Sequence, residues 1–233
     1  MDLAIIGAGE SSRLKAEGLK GSEHLIKIDG EYLIERIIRI AICAGVQKVH
    51  CIINSHEPEL KNFLATKNFG VPLNLTVQDT QSSMHSLFSL APYLLKEPFC
   101  LATIDTVFFK TEFSEFVGYS KMQEDADGVL AVTKIMDNKK PLCVAMDEED
   151  AIYKFSNSKD GYSWATGGIY YFTPRIFDEM DSALKKEISG LRNFLYHLIS
   201  CGYILKGFSF SKIINIDSTY DIVNAEVYYK GIE

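Results

Sequence analysis

The chain lacks a basic excess, paired cysteines, a long apolar run and any low-complexity tract. Each absence removes a class of function. Over 233 residues, 24 Lys and Arg stand against 31 Asp and Glu, a formal net charge of -7. General nucleic-acid binding needs a basic face, so that partner is set aside. An acidic chain can still bind nucleotides, because backbone N–H groups, one or two cationic side chains and a metal suffice. The five cysteines, Cys43, Cys51, Cys100, Cys143 and Cys201, form no Cys-x-x-Cys pair. That spacing signals neither a zinc site nor a disulfide framework. Cys51, Cys100 and Cys143 fall inside apolar runs and read as reduced core residues, which fits a cytoplasmic location. The histidines show no metal-ligand spacing. No stretch approaches a membrane span, and the short run from Leu3 to Ala8 follows Asp2 rather than a basic region, so neither an anchor nor a signal peptide is expected. With no Pro/Gly-rich linker and no repeat, one domain over residues 1–233 is expected.

What is present is a core-forming composition, 47% hydrophobic and 24% charged. Residues 2–6 are a buried strand that ends in Gly-Ala-Gly. From Tyr32 to Ala44 apolar residues recur at helical spacing. Val49–Ile53, Leu73–Val77 and Phe99–Ile104 read as strands; Glu57–Ala65 and Ser82–Leu95 read as helices. This alternation predicts a largely parallel sheet with right-handed crossovers. The pattern then changes to strands with few helices between them, at 128–135, 142–146, 152–155 and 168–172, which predicts an antiparallel extension. Helices near 174–184 and 191–201, strands at 203–208 and 213–216, and a closing helix from Thr219 complete the reading.

Three stretches carry chemistry. Gly7-Ala8-Gly9-Glu10-Ser11-Ser12-Arg13-Leu14 follows the first strand. Small residues let the backbone approach a phosphate, and Arg13 can offer a bidentate fork; an ordinary turn with a surface Arg has the same sequence. A dinucleotide fingerprint fits poorly, since Ser12 takes the third glycine position and Ile53-Asn54-Ser55-His56 supplies no ribose-binding acid. Asp105 ends a buried strand, where a carboxylate faces the ligand crevice of an open α/β sheet or simply caps a turn. Asp217 precedes the last helix, where it or Ser218 could be the N-cap.

The run from Ile6 to Glu35 resembles the nucleotidyltransferase superfamily of sugar-1-phosphate, choline-phosphate and molybdopterin nucleotidyltransferases, a GT-A type fold. The family's glycine loop ends in Ser/Thr-Arg-Leu and is followed by Leu-x-x-Ile/Val-x-Gly-x-Pro-Leu-Ile; Leu25, Ile28, Gly30, Leu33 and Ile34 match that spacing. Asp105-Thr106-Val107-Phe108 is similar to the family's Asp-x-x-Phe, and Asn215-Ile216-Asp217, running on to Ala225-Glu226, to its closing Asp-Ile-Asp segment. The likeness covers residues 3 to about 228. It implies a Rossmann-like three-layer sandwich with a mixed, mainly parallel central sheet. It also implies an enzyme that transfers NMP from an NTP to a small phosphorylated acceptor, a sugar-1-phosphate first, releasing pyrophosphate on Mg²⁺. The appended domain of some members is not expected.

Residue by residue, the resemblance implies that Arg13 acts in catalysis on the triphosphate, and that Asp105 with Asp217 binds Mg²⁺. Gly7, Ala8, Gly9, Ser11, Ser12 and Arg13 would cradle the nucleotide; Gln78 would read the base, with Ser82 and Ser83 beside the nucleoside. Thr166 and Gly168, in a stretch similar to the family's Gly-Ile-Tyr-x-Phe strand, and Lys159 would meet the acceptor. Two departures stand out. Ser11 replaces a loop glycine, and Glu23 replaces the phosphate-contacting lysine. Lys20 is the first candidate to compensate and Lys27 the second. Two other readings follow from the same residues: a catalytically inactive NTP-binding homologue, because Glu23 repels a triphosphate, and a nucleotide-sugar-dependent glycosyltransferase, which shares the sheet and the metal aspartate. The base, the acceptor and the oligomeric state stay open; a homo-oligomer joined through the antiparallel extension is compatible with the sequence.

Overall fold

The computed structural model describes residues 1–8, 23–134 and 141–230. Among the described residues the core is one nine-stranded sheet. Strand β1 (Asp2–Gly7) lies at its centre. The hairpin β2 (Lys27–Ile28) and β3 (Glu31–Tyr32) follows, and then β4 (Lys48–Ile53), β5 (Leu73–Val77) and β6 (Phe99–Thr103). β1 pairs in parallel with β4 on one side and β6 on the other, and β4 pairs in parallel with β5. Helices α1 (Leu33–Cys43), α2 (Pro58–Thr66) and α3 (Ser83–Leu94) make the crossovers.

Alternation along β1 builds the layers. Leu3 and Ile5 pack with Ile34, Ile37, Ile38 and Ala41 of α1 and Leu60 and Leu64 of α2. Ala4 and Ile6 point the other way, into Met84, Leu87 and Leu90 of α3. The chain runs outward from β1 to β4 and β5, then returns through α3 to β6 on the other side of β1. Strand order therefore reverses between β1 and β6, and the C-terminal ends of these two strands are where an open α/β sheet places its ligand crevice.

The antiparallel strands continue this same sheet. The short β7 (Thr106–Val107) follows β6, and α4 (Lys110–Met122) leads to β8 (Gly128–Lys134). β9 (Cys143–Met146), β10 (Ile152–Ser156) and β11 (Trp164–Phe172) come next. β11 pairs antiparallel with β6 through Ile169–Phe172 and with β9 through Trp164 and Ala165, while β8 runs along its other edge. The register along β8 shifts between Thr166 and Tyr170, so Gly167 and Gly168 form an irregularity where β11 changes partner. A 3₁₀ turn (Pro174–Glu179), α5 (Met180–Lys185) and α6 (Leu191–Ser200) cover the α3 face; β12 (Leu205–Ser209) pairs in parallel with β8. β13 (Ile214–Asn215) and α7 (Thr219–Tyr229) end the described chain.

Several sequence details acquire physical reasons here. α1 ends in a Schellman closure: Gly45 has φ 90°, its N–H donates to Ile42 O, and Val46 N donates to Ala41 O. Asp29 and Gly30, both at positive φ, form the two-residue turn of the β2–β3 hairpin, as a type I′ turn requires. Helix α4 was not anticipated, although Phe113, Phe116, Val117 and Ser120 carry the spacing of a buried helical face. The helix expected over 174–184 is divided into the 3₁₀ turn and α5, and β11 begins four residues earlier than expected, at Trp164. Among the described residues, no helix is long and apolar enough to cross a membrane.

Candidate active site at the sheet switch point

Gly7 and Ala8 leave β1 at the crevice, both buried. A side chain on Gly7 would press on Ile104, its Cβ 3.0 Å from the Cδ1, so the strand end sits close against β6. Gly9, Ser11, Ser12, Arg13 and Lys20 lie outside the described residues. The second candidate cation, Lys27, stands over the Tyr32 ring at 4.6 Å on the β2–β3 hairpin, which turns it to that ring's face.

Asp105 lies with Ile104 in the turn between β6 and β7. Its neighbours hold it from both sides of a small antiparallel ladder, in which β7 pairs with β13: Thr106 faces Asn215 and Val107 faces Ile214. One step further, Ile216 N donates to Asp105 O at 2.9 Å. This ladder joins two distant segments of the chain and sets Asp217 beside Asp105. Tyr229 of α7 locks it, its hydroxyl donating to Val107 O at 3.2 Å and Lys212 O at 2.9 Å. A separate apolar cluster under the ladder, with Ile26, Ile28, Leu33, Ile214, Ile216 and Ala225, ties it to the hairpin.

The electrostatics of the pair are distinctive. Burial raises the Asp105 carboxyl above its ordinary range; the Thr103 hydroxyl works against this, and the charge of Asp217 adds to it. Asp105 Oδ1 is buried without a hydrogen-bond partner. Two carboxylates held together, one with an orphaned buried oxygen, suit a hard divalent cation that takes oxygen ligands. The capping role at α7 belongs to Ser218, whose Oγ accepts from Asp221 N, while Asp217 N donates to Asp221 Oδ2 at 3.1 Å. Asp217 itself is exposed at the mouth.

The remaining expected residues fall into two groups. Gln78 is exposed just past β5, its N–H donating to Ile53 O at 2.9 Å. Beside it Asp79 staples the ends of β4 and β5, accepting from Ser55 N and Oγ, each at 2.7 Å. The Ser82 and Ser83 hydroxyls are committed elsewhere: they accept from Gly190 N and Leu191 N, each at 2.9 Å, and so dock the start of α6 on the start of α3. Gly168 was expected to leave room for an acceptor. Its φ is 79°, and a Cβ there would lie 2.6 Å from Thr103 Oγ1 and 2.7 Å from Thr106 Oγ1. The glycine lets β11 close against the Asp105 segment.

Thr166 is half-buried on β11, and its hydroxyl hydrogen-bonds Tyr170, whose phenol burial pushes up to about 12. Tyr170 feels both Arg192 and Asp105. Lys159 is exposed in the β10–β11 loop and acts, with Arg192, on the Cys143 thiol. Arg192, at the start of α6, donates to Asn157 Oδ1 at 2.7 Å. Arg192 and Lys159 thus place two cations within electrostatic reach of Cys143, and Arg192 also reaches Tyr170. Sequence reading did not single out Arg192, because only the docking of α6 brings it there.

A model of the MobA-like NTP transferase domain matches residues 3–197. The chain belongs to that family. Its α/β fold is the one that solved sugar-phosphate and inositol-phosphate nucleotidyltransferase structures share. Among characterised relatives, the bifunctional IPC transferase and DIPP synthase of Aquifex aeolicus (strain VF5) is 24% identical over 184 residues; the match covers 78% of this chain and 41% of that protein's length. The inositol-1-phosphate CTP transferase of T. maritima has the same fold at TM-score 0.79 and 21% identity, with 99% of this chain and 96% of that one aligned. A Bacillus anthracis structure assigned as a glucose-1-phosphate thymidylyltransferase, in complex with a sucrose, matches at TM-score 0.87 and 16% identity over 100% of this chain and 96% of that one.

Proposed function

We propose that this chain is a nucleotidyltransferase that moves an NMP group from an NTP to a small phosphorylated acceptor, a sugar-1-phosphate first and an inositol phosphate second. An acceptor phosphate oxygen attacks the NTP α-phosphorus, the bond to the β-phosphate breaks, and pyrophosphate leaves. The observation that carries this reading is the Asp105–Asp217 pair at the mouth of the switch-point crevice, with an orphaned oxygen on Asp105. The second acceptor is favoured by the Aquifex and T. maritima relatives, whose names specify IPC and inositol-1-phosphate.

In this reading Mg²⁺, held by Asp105 and Asp217, supplies neutralisation of the phosphate charge. The chain's own residues position the reactants, which is most of the catalysis such a displacement needs. Gly7, Ala8 and the following loop offer backbone N–H groups to the phosphates, Arg13 grips the triphosphate, and Lys20 takes the place of the cation that Glu23 does not provide. Gln78 reads the base edge at the end of β5. Lys159, Thr166 and Arg192 hold the acceptor on the opposite side. The reaction belongs to a cytoplasmic protein, and its product is an activated nucleotide derivative.

The deciding experiment is a matrix of CTP, UTP, GTP, ATP and dTTP against glucose-1-phosphate, inositol-1-phosphate and choline phosphate, with pyrophosphate release as readout. One pair should turn over, and EDTA should stop it. Tight NTP binding by calorimetry with no release from any pair would move the chain to an inactive NTP-binding homologue. Hydrolysis of UDP-sugars without pyrophosphate chemistry would move it to the glycosyltransferases.

A further inference from the structure

Away from the carboxylate pair, the far end of α6 gathers three groups of different chemistry. His197 and Cys201 are one helical turn apart, at i and i+4, and so share a face. Glu179 reaches them from the end of the 3₁₀ turn. Their ligand atoms all lie within 4.8 Å of one another. His197 Nε2 is 2.8 Å from Glu179 Oε2, and Cys201 Sγ is 3.7 Å from each ring nitrogen of His197. Arg192 begins the same helix, roughly 13 Å away along its axis.

We propose that Glu179, His197 and Cys201 form a second metal site, one for a borderline-soft divalent cation such as Zn²⁺. The donor set is what such an ion takes: a thiolate, an imidazole and a carboxylate. Tetrahedral coordination with bonds of about 2.0–2.3 Å separates ligand atoms by roughly 3.3–3.6 Å. The sulfur–nitrogen separation is already close to that, and the His197–Glu179 hydrogen bond has only to open by about half an ångström. The frame is rigid: α6 ends in a Schellman closure, with Gly202 at φ 84° and Tyr203 N donating to Leu198 O at 3.0 Å. His197 is 5% exposed, whereas Cys201 is open to solvent and gives an ion its route in. Burial opposes ionisation of Glu179, yet hydrogen bonds from His197, Cys201 and Ser182 hold its carboxyl below the ordinary range, so the anionic ligand form is present. A histidine–carboxylate hydrogen bond alone would explain two of these residues; the thiol adds the third donor that a borderline-soft ion takes. Three protein ligands leave one position for water. Binding would displace the Cys201 thiol proton to solvent as the sulfur–metal bond forms, and the ring proton of His197 would move from Nε2 to Nδ1 by way of solvent to free the Nε2 lone pair, so affinity should rise with pH.

The test uses the full chain with CoCl₂ and ZnCl₂. Co²⁺ should give a near-ultraviolet thiolate-to-metal charge-transfer band at one equivalent. The band should vanish in Cys201→Ser and survive in Cys43→Ser and in Asp105→Asn, which separates it from the carboxylate pair. Zn²⁺ affinity by calorimetry should fall at least about tenfold in Cys201→Ser and in Glu179→Gln, a loss no smaller than that of a group behind the ligands. In the unaltered protein, Zn²⁺ should slow modification of Cys201 by a thiol reagent. Absence of the band, its persistence in Cys201→Ser, or unchanged Zn²⁺ affinity in both variants would overturn the proposal and leave a hydrogen-bonded cluster only.

Discussion

The two halves of the sheet serve the site in opposite ways. In the parallel half, the residues of interest stand where strands end: Gly7 as the last residue of β1, Gln78 after β5 and Asp105 after β6. Each is delivered by the local direction of one strand. In the antiparallel half, the contribution comes from within a strand, where β11 breaks register at Gly167 and Gly168 to change partner from β9 to β6. The parallel half thus supplies side chains at strand ends, whereas the antiparallel half contributes through close backbone packing. The two should respond differently to substitution.

The largest effect is expected at the parallel half's carboxylate. Asp105→Asn should lower kcat/KM for the working substrate pair by about three orders of magnitude, or ~4 kcal/mol of barrier. Its thermal midpoint should hold or rise, because burial and Asp217 both disfavour the charged form in the native protein. Near-normal turnover in a matched pyrophosphate assay would remove Asp105 from the chemistry.

Next comes the antiparallel half. Gly168→Ala combines a positive φ with contacts at 2.6 and 2.7 Å, so a loss of about 3 kcal/mol or more is expected. Gly30→Ala is its control: φ is 82°, but nothing lies within 4 Å of the added carbon. That change should cost only about 1 kcal/mol. Equal losses in denaturant melts of the two variants would show that backbone strain, and not the packing of β11 on the Asp105 segment, governs the position.

A smaller effect concerns the seam between the halves. Ser82→Ala and Ser83→Ala each orphan a backbone N–H at the start of α6, for about 1 kcal/mol apiece. If these hydroxyls only dock α6, the acceptor KM should rise through Arg192 while the NTP KM stays unchanged. A rise confined to the NTP KM would return the hydroxyls to the nucleotide.

The smallest effect is a count. Cys43 and Cys201 are exposed, while burial pushes the Cys51 and Cys100 thiols up to about 12 and also raises Cys143. Two thiols should react rapidly with a colorimetric reagent in the native protein and five after denaturation. A third fast thiol would mean that one of the strand cysteines is accessible, and that the sheet opens at β4, β6 or β9.

Most of the parallel half was legible, because strand–helix alternation is a local pattern and the Gly7 and Asp105 segments each sit at a strand end. Cys51 and Cys100 were read as core from their apolar neighbours, and both are fully buried. Helix α4 was missed despite its 113, 116, 117 and 120 spacing, since Gly118 and a polar surround mask it. Ser82 and Ser83 were visible as a helix start, but their partners, Gly190 and Leu191, are 108 positions away. The same distance hid Arg192.

By itself the sequence determined the period of each element, the turn at Asp29-Gly30, the closure of α1 at Gly45, and the candidate carboxylates, because these depend on neighbours a few residues apart. Tertiary structure decided what depends on packing between distant segments. It set Asp217 beside Asp105 through the β7–β13 ladder, spent the freedom of Gly168 on Thr103 and Thr106, and brought Glu179 to His197 and Cys201. Local periodicity fixes which way a side chain faces, but only close-packed layers fix what it meets there.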